Sequence, residues 1–105
     1  MTDRELLEAA AKAAGIAATA YYGPSDEFWG LVIDATGVEW NPLADDGDAL
    51  RLAVKLELIV DAHGLFVRIS EPFGHWLAVE SKGNPLAATR RAIVRAAAAI
   101  RGEQK

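Results

Sequence analysis

The side chains with the most chemical potential in this chain are the carboxylates of Asp45-Asp46-Gly47-Asp48. Clustered acids of this kind can hold calcium. A calcium loop of the EF-hand type, however, needs oxygen ligands at alternate positions, a glycine at the sixth and a glutamate at the twelfth. Counted from Asp45, the glycine is third and the twelfth residue is Leu56. The same acids suit the free amides and positive dipole of a helix N-terminus, and helix capping is the role expected of them.

The two histidines, His63 and His75, fall in a proposed turn and at a proposed strand start. Neither stands at a spacing that would join it to a serine and an acid for nucleophilic catalysis. Ser25, Ser70 and Ser81 lie in turn contexts without a Gly-x-Ser-x-Gly elbow. Glycine-rich phosphate loops are absent, and there is no cysteine for thiol chemistry, disulfides or zinc-thiolate sites. The expectation is a protein that is not an enzyme, with no catalytic residues, cofactor or metal.

What remains is recognition. Residues 26–48 hold seven acids and no Lys or Arg, whereas residues 84–105 hold five bases against one acid. Trp29, Trp40 and Trp76 are joined by Tyr21, Tyr22, Phe28, Phe66 and Phe73, and an exposed tryptophan would mark an interface. The candidate interaction surface is therefore Trp40, Asp45, Asp46, Asp48, Arg91 and Arg95. An unidentified protein partner or self-association fits it best. The alternative is nucleic-acid binding through Arg90, Arg91, Arg95 and Arg101. An isoelectric point near 5.1 and the lack of a helix-turn-helix pattern weigh against that.

Helix punctuation organises the chain. Thr2 and Glu5 match a capping box, Leu6, Leu7, Ala10, Ala13 and Ala14 recur at helical spacing, and Gly15 supplies a left-handed stop. Asn-Pro-Leu-Ala occurs twice, at Asn41–Ala44 and Asn84–Ala87, and each copy precedes a helical pattern. The first leads, after a one-turn bend, to a helix near Gly47 with Ala49, Leu52, Ala53 and Leu56 buried. There Asp48 and Arg51 form an exposed pair. The second opens a helix with Leu86, Ile93, Ala97 and Ile100 inside and Arg91 and Arg95 outside.

Between the helices, β-branched and aromatic runs alternate with turn formers. Thr19–Tyr22 and Trp29–Ile33 flank Gly23-Pro24-Ser25-Asp26, and a short strand follows at Val38–Trp40. Further strands are read at Leu58–Asp61, Leu65–Ser70 and His75–Glu80, separated by Ala62-His63-Gly64 and Pro72-Phe73-Gly74. The order α-β-β-β-α-β-β-β-α predicts an α+β fold, mainly an antiparallel sheet with three helices packed on it in an α/β/α-type sandwich. The 105 residues suit one domain, with residues 102–105 a frayed tail.

Hydrophobic residues make up 51% of the chain, enough for a packed core. The charged start Met1–Glu5 lacks a signal-peptide core, and no apolar run nears the about 18–20 residues that cross a bilayer. A cytoplasmic protein without membrane contact is expected.

The stretch Trp40–Leu56, opening Trp-Asn-Pro-Leu-Ala-Asp-Asp-Gly-Asp, with Ala87–Ala97 and the opening Thr2–Leu7, resembles the phage ABA sandwich domain, a family of small bacteriophage and prophage proteins. The resemblance implies a helix–sheet–helix sandwich and a phage-derived gene in a bacterial host. It implies no catalytic residues, because that family carries no assigned function.

Overall fold

The computed structural model describes residues 2–63, 66–70, 76–80 and 83–103, with residues 63, 66–67, 76–80 and 101–103 described by their backbone alone. Helix α1 (Asp3–Ala13) is followed by strands β1 (Ala18–Tyr22), β2 (Phe28–Ile33) and β3 (Glu39–Trp40), then helix α2 (Asp46–Lys55). Strands β4 (Ile59–His63), β5 (Phe66–Ser70) and β6 (Trp76–Glu80) precede helix α3 (Pro85–Glu103). The order is the one read from the sequence, and the class is α+β. Helix α3 runs on to Glu103, into the segment assigned to a tail.

Helix ends follow local chemistry closely. Thr2 accepts the Glu5 amide at 3.1 Å while its own N–H donates to the Glu5 carboxylate at 2.8 Å, closing the capping box. At the other end Gly15 takes φ +72°, which lets Ile16 N–H reach the Ala11 carbonyl and Gly15 N–H that of Lys12. Asn84 caps α3 by accepting the Ala87 amide at 3.1 Å, with Pro85 in the first helical position.

The other Asn-Pro-Leu-Ala copy behaves differently. Asn41 closes a separate turn, accepting the Leu43 amide on its side chain and the Ala44 and Asp45 amides on its carbonyl. Asp45, not Asn41, caps α2, through the Asp48 amide at 2.8 Å. A carboxylate four residues downstream of the asparagine restarts the count of the helix.

Helix α2 ends with Glu57 at φ +57°, donating to the Val54 carbonyl, while Leu58 N–H reaches Ala53. This is the hydrogen-bond pattern that ends α1, with glutamate where α1 has glycine. A β-carbon in the left-handed region costs about 1 kcal/mol. Glu57→Gly is therefore expected to raise unfolding free energy by about 0.5–1 kcal/mol, measured by urea denaturation.

The strands pair antiparallel throughout but divide into two sheets, β1-β2-β3 and β4-β5-β6, in place of the one helix-covered layer read from the sequence. The division follows from α2, which leaves the edge strand β3 and returns the chain to α3. Sheet β1-β2-β3 packs through β2 on α1, whereas β4, β5 and β6 pack on α3; α1 and α2 also lie against α3. Helix α3 is thus the centre, buried over more than half its circumference at Ala88, Ala92, Ile93, Val94, Ala96, Ala97 and Ile100.

Small residues make this close helix packing possible. Ala10, Ala92 and Ala97 are fully enclosed, and Leu7, Leu31, Leu52 and Ile69 fill the space around them. Leu86 departs from the expected inner stripe and is 62% exposed. It belongs to the first turn of α3, ahead of the buried run that begins at Ala88. Leu50 and Val54 on α2 are likewise exposed. In β4–β5, Arg68 stands opposite Asp61 in the ladder and meets it at 3.3 Å, on the face away from buried Ile69. The expected turns Gly64 and Pro72-Phe73-Gly74, with His75, Ser81 and the ring of Phe73, lie outside the described residues. His63 ends β4 and does not sit in a turn.

Candidate functional site

Trp40 is not a surface residue. The register pairs it with Leu31, so both point to the face of the first sheet that α1 covers, and Trp40 is 4% exposed. The period-two alternation of strand faces buries it as firmly as Leu31.

The acids at the start of α2 are engaged within the fold. Asp45 caps the helix. Asp48 accepts the Asn41 amide at 2.9 Å and Arg51 Nη2 at 2.7 Å, so the expected exposed pair with Arg51 forms, and the carboxylate, only 13% exposed, also ties the residue after β3 to α2. Asp46 accepts Arg90 Nη1 at 2.7 Å, and Arg90 Nε donates to the Leu43 carbonyl at 2.8 Å. Arg91 reaches Asp3 at 3.0 Å, pinning α3 to the start of α1. Arg95 stays exposed. Of the sorted charges, one acid, Asp46, and two bases, Arg90 and Arg91, thus join α2 and α1 to α3, the last through Asp3.

Four acids from the same stretch stay out of these ion pairs: Asp26, Glu27, Asp34 and Glu39. All lie on the first sheet or its turns. Asp34 accepts the Thr19 hydroxyl at 2.7 Å, and Glu39 accepts the Tyr21 hydroxyl. Glu27 accepts the Ser25 amide at 3.0 Å. In the register Thr19 pairs with Val32, Val32 with Glu39, and Tyr21 with Gly30, which places these residues on one face, opposite to Ala18, Ala20, Leu31 and Trp40. Among the described residues no helix covers that face.

An aromatic pair stands on it. The ladder slips between Tyr21 and Tyr22, making Trp29 the extra residue of a bulge, and a bulge re-aims the side chain it carries. The Trp29 indole meets Tyr21 edge-on, with ring centroids 6.3 Å apart at 82°, and remains 53% exposed. Glycines make the floor. A Cβ on Gly23 would collide with the Glu27 carboxylate and fall 2.5 Å from Trp29 Cε2, and a Cβ on Gly30 would press on the Tyr21 ring at 3.3 Å. The result is a row Glu27–Trp29–Tyr21–Glu39 across the sheet.

The Tyr21–Glu39 bond is testable alone. The carboxylate holds the Tyr21 phenol above its ordinary range, first by accepting its proton in a hydrogen bond and then by burial and negative charge. A raised phenol pKa means that the contact stabilises the fold below the ordinary value of about 10 and is lost as pH rises through the folded value. In ultraviolet titration Glu39→Ala is expected to bring one late-ionising tyrosine back toward about 10.

Away from this row, an open groove of about 530 Å³ lies where the end of α1 meets β3 and α2. Ile16, Ile33, Val38 and Leu52 give it apolar walls, and Glu39, Asp48, Arg51 and Lys55 a charged rim. No nucleophile with an adjacent base lines it. Among the described residues no three His, Asp or Glu side chains come together in a way that could hold a metal ion, and no helix is long and apolar enough to cross a membrane.

The exposed position of Trp29 beside Tyr21 could not be read from the sequence pattern. The one signal available was the pair of glycines, Gly23 and Gly30, beside aromatic residues in a hairpin. Neither protein-family models, curated proteins nor solved structures give a match to this chain.

Proposed function

We propose that this protein is a non-enzymatic, phage- or prophage-type accessory protein of the bacterial cytoplasm that works by binding another protein, through the open face of its first sheet. The observation that carries the reading is Trp29: a large aromatic, 53% exposed, held in place by Tyr21 and a glycine floor. Rigid aromatics of this kind contribute much of the energy at protein interfaces, because little side-chain freedom is lost on docking. The resemblance of Trp40–Leu56 and Ala87–Ala97 to the phage sandwich family agrees with an accessory role.

Affinity capture from the bacterial host with the unmodified protein, Trp29→Ala and Gly23→Val tests it. A partner held by the unmodified protein is expected to be lost with both variants, the second because its side chain displaces the indole. A partner retained equally by all three would overturn the choice of face. Light scattering on the same samples reads out self-association.

The nucleic-acid alternative draws less support from the geometry. Arg90 and Arg91 are already paired with Asp46 and Asp3, which leaves Arg95 as the free cation among the described side chains of α3.

A further inference from the structure

We infer that the segment docking on this face is cationic: an extended stretch of another protein carrying Arg or Lys, with one cation stacked on Trp29 between Glu27 and Glu39. The inference rests on the docking reading above and names the chemistry of its partner.

Charge complementarity carries it. No Lys or Arg occurs between Lys12 and Arg51, so the whole first sheet and its turns are built without a base. Asp45, Asp46 and Asp48, the remaining acids of that stretch, are occupied by helix capping and by Arg51 and Arg90. Asp26, Glu27, Asp34 and Glu39 have only hydrogen-bond donors, or no partner, within the described residues. Arg4 approaches the hairpin, with its guanidinium carbon 5.8 Å from the centre of the Tyr22 ring, but it comes from α1, on the opposite face, and is paired with Glu8. The first sheet and its turns therefore present four carboxylates without an ion pair among the described residues, with Arg51 and Lys55 near Glu39 only across the groove rim, around an aromatic surface.

A guanidinium or ammonium satisfies both parts at once. Its charge is attracted by the indole face, and its N–H groups can be accepted by the Glu27 carboxylate beside that ring, with the charge of Glu39 lying beyond Tyr21. An anionic segment would meet four like charges, and a wholly apolar one would strip water from carboxylates without replacing those bonds.

Calorimetric titration of the full chain with a ten-residue Gly-Arg peptide, and with Gly-Glu and Gly-Ser peptides of equal length, tests the inference. Saturable binding is expected for Gly-Arg alone, weakening as salt is raised. Trp29→Ala should lower the affinity about fivefold or more, and Glu27→Gln with Glu39→Gln by a similar factor, while Glu8→Gln on α1 leaves it unchanged. Equal binding of the Gly-Glu peptide, or Gly-Arg binding indifferent to Trp29, overturns the inference. Should a protein be captured through Trp29 while no Gly-Arg binding occurs, the cationic partner falls and the docking face stands. Self-association lost on both Trp29→Ala and Arg95→Glu, without peptide binding, gives the face to a second copy and also overturns it. If neither capture nor peptide binding depends on Trp29, both readings fall.

Discussion

Trp40→Ala is expected to lower the unfolding free energy by about 3–5 kcal/mol, the cost of emptying a core site of an indole. Trp40 is 4% exposed, sits opposite Leu31 and closes the space beneath α1. The same change at Trp29 should cost about 1 kcal/mol, the scale of its edge-on contact with Tyr21. Chemical denaturation of the two variants measures the difference directly. A large loss at Trp29, or a small one at Trp40, would mean that the two tryptophans had exchanged roles. The contrast matters because only a residue that the fold can spare is free to serve a partner.

The second large effect lies at Asp48. Asp48→Ala is expected to cost about 2–3 kcal/mol, since it removes the acceptor for the partly buried Asn41 amide and for Arg51 at one stroke. Asp48→Asn keeps a neutral acceptor and should recover part of the loss. Asp45→Ala, which removes only a helix cap, should cost about 1 kcal/mol. Asp46→Ala breaks an exposed ion pair with Arg90 and should cost less still. The order Asp48, Asp45, Asp46 in denaturation midpoints separates three acids that look alike in sequence. Equal losses would contradict the network of Asp48 with Asn41 and Arg51.

Those three acids show where the sequence was legible and where it was not. Helix ends are decided within about five residues, so Thr2 with Glu5, Gly15 and Asn84 could be read as caps from spacing alone. Asn41 shares its motif with Asn84, yet Asp45 outcompetes it for the cap, and the choice depends on how Asp48 bonds back to Asn41. The partners of the sorted charges are far along the chain: Asp46 meets Arg90 and Asp3 meets Arg91. No local pattern announces such pairs, so the acids and bases that the fold uses internally could not be told in sequence from those left outside it.

The tryptophans carry the same lesson at the level of the strand. Which face a side chain takes depends on register, and one extra residue reverses it. Trp40 falls on the covered face because it pairs with Leu31, while the bulge at Trp29 turns that indole outward over Gly23. The number of sheets was hidden for a similar reason. Six short strands with turns between them fit one sheet or two, and only the path of α2 from β3 to the central helix separates them.

A partner seated on the outer face of the first sheet must shield the amides of its strands. Hydrogen exchange of the chain, free and in complex with the protein captured through Trp29, reads this shielding strand by strand. Slowed exchange concentrated in Ala18–Tyr22 and Phe28–Ile33 is the predicted result. Protection confined to Pro85–Glu103, with the sheet unchanged, would contradict it.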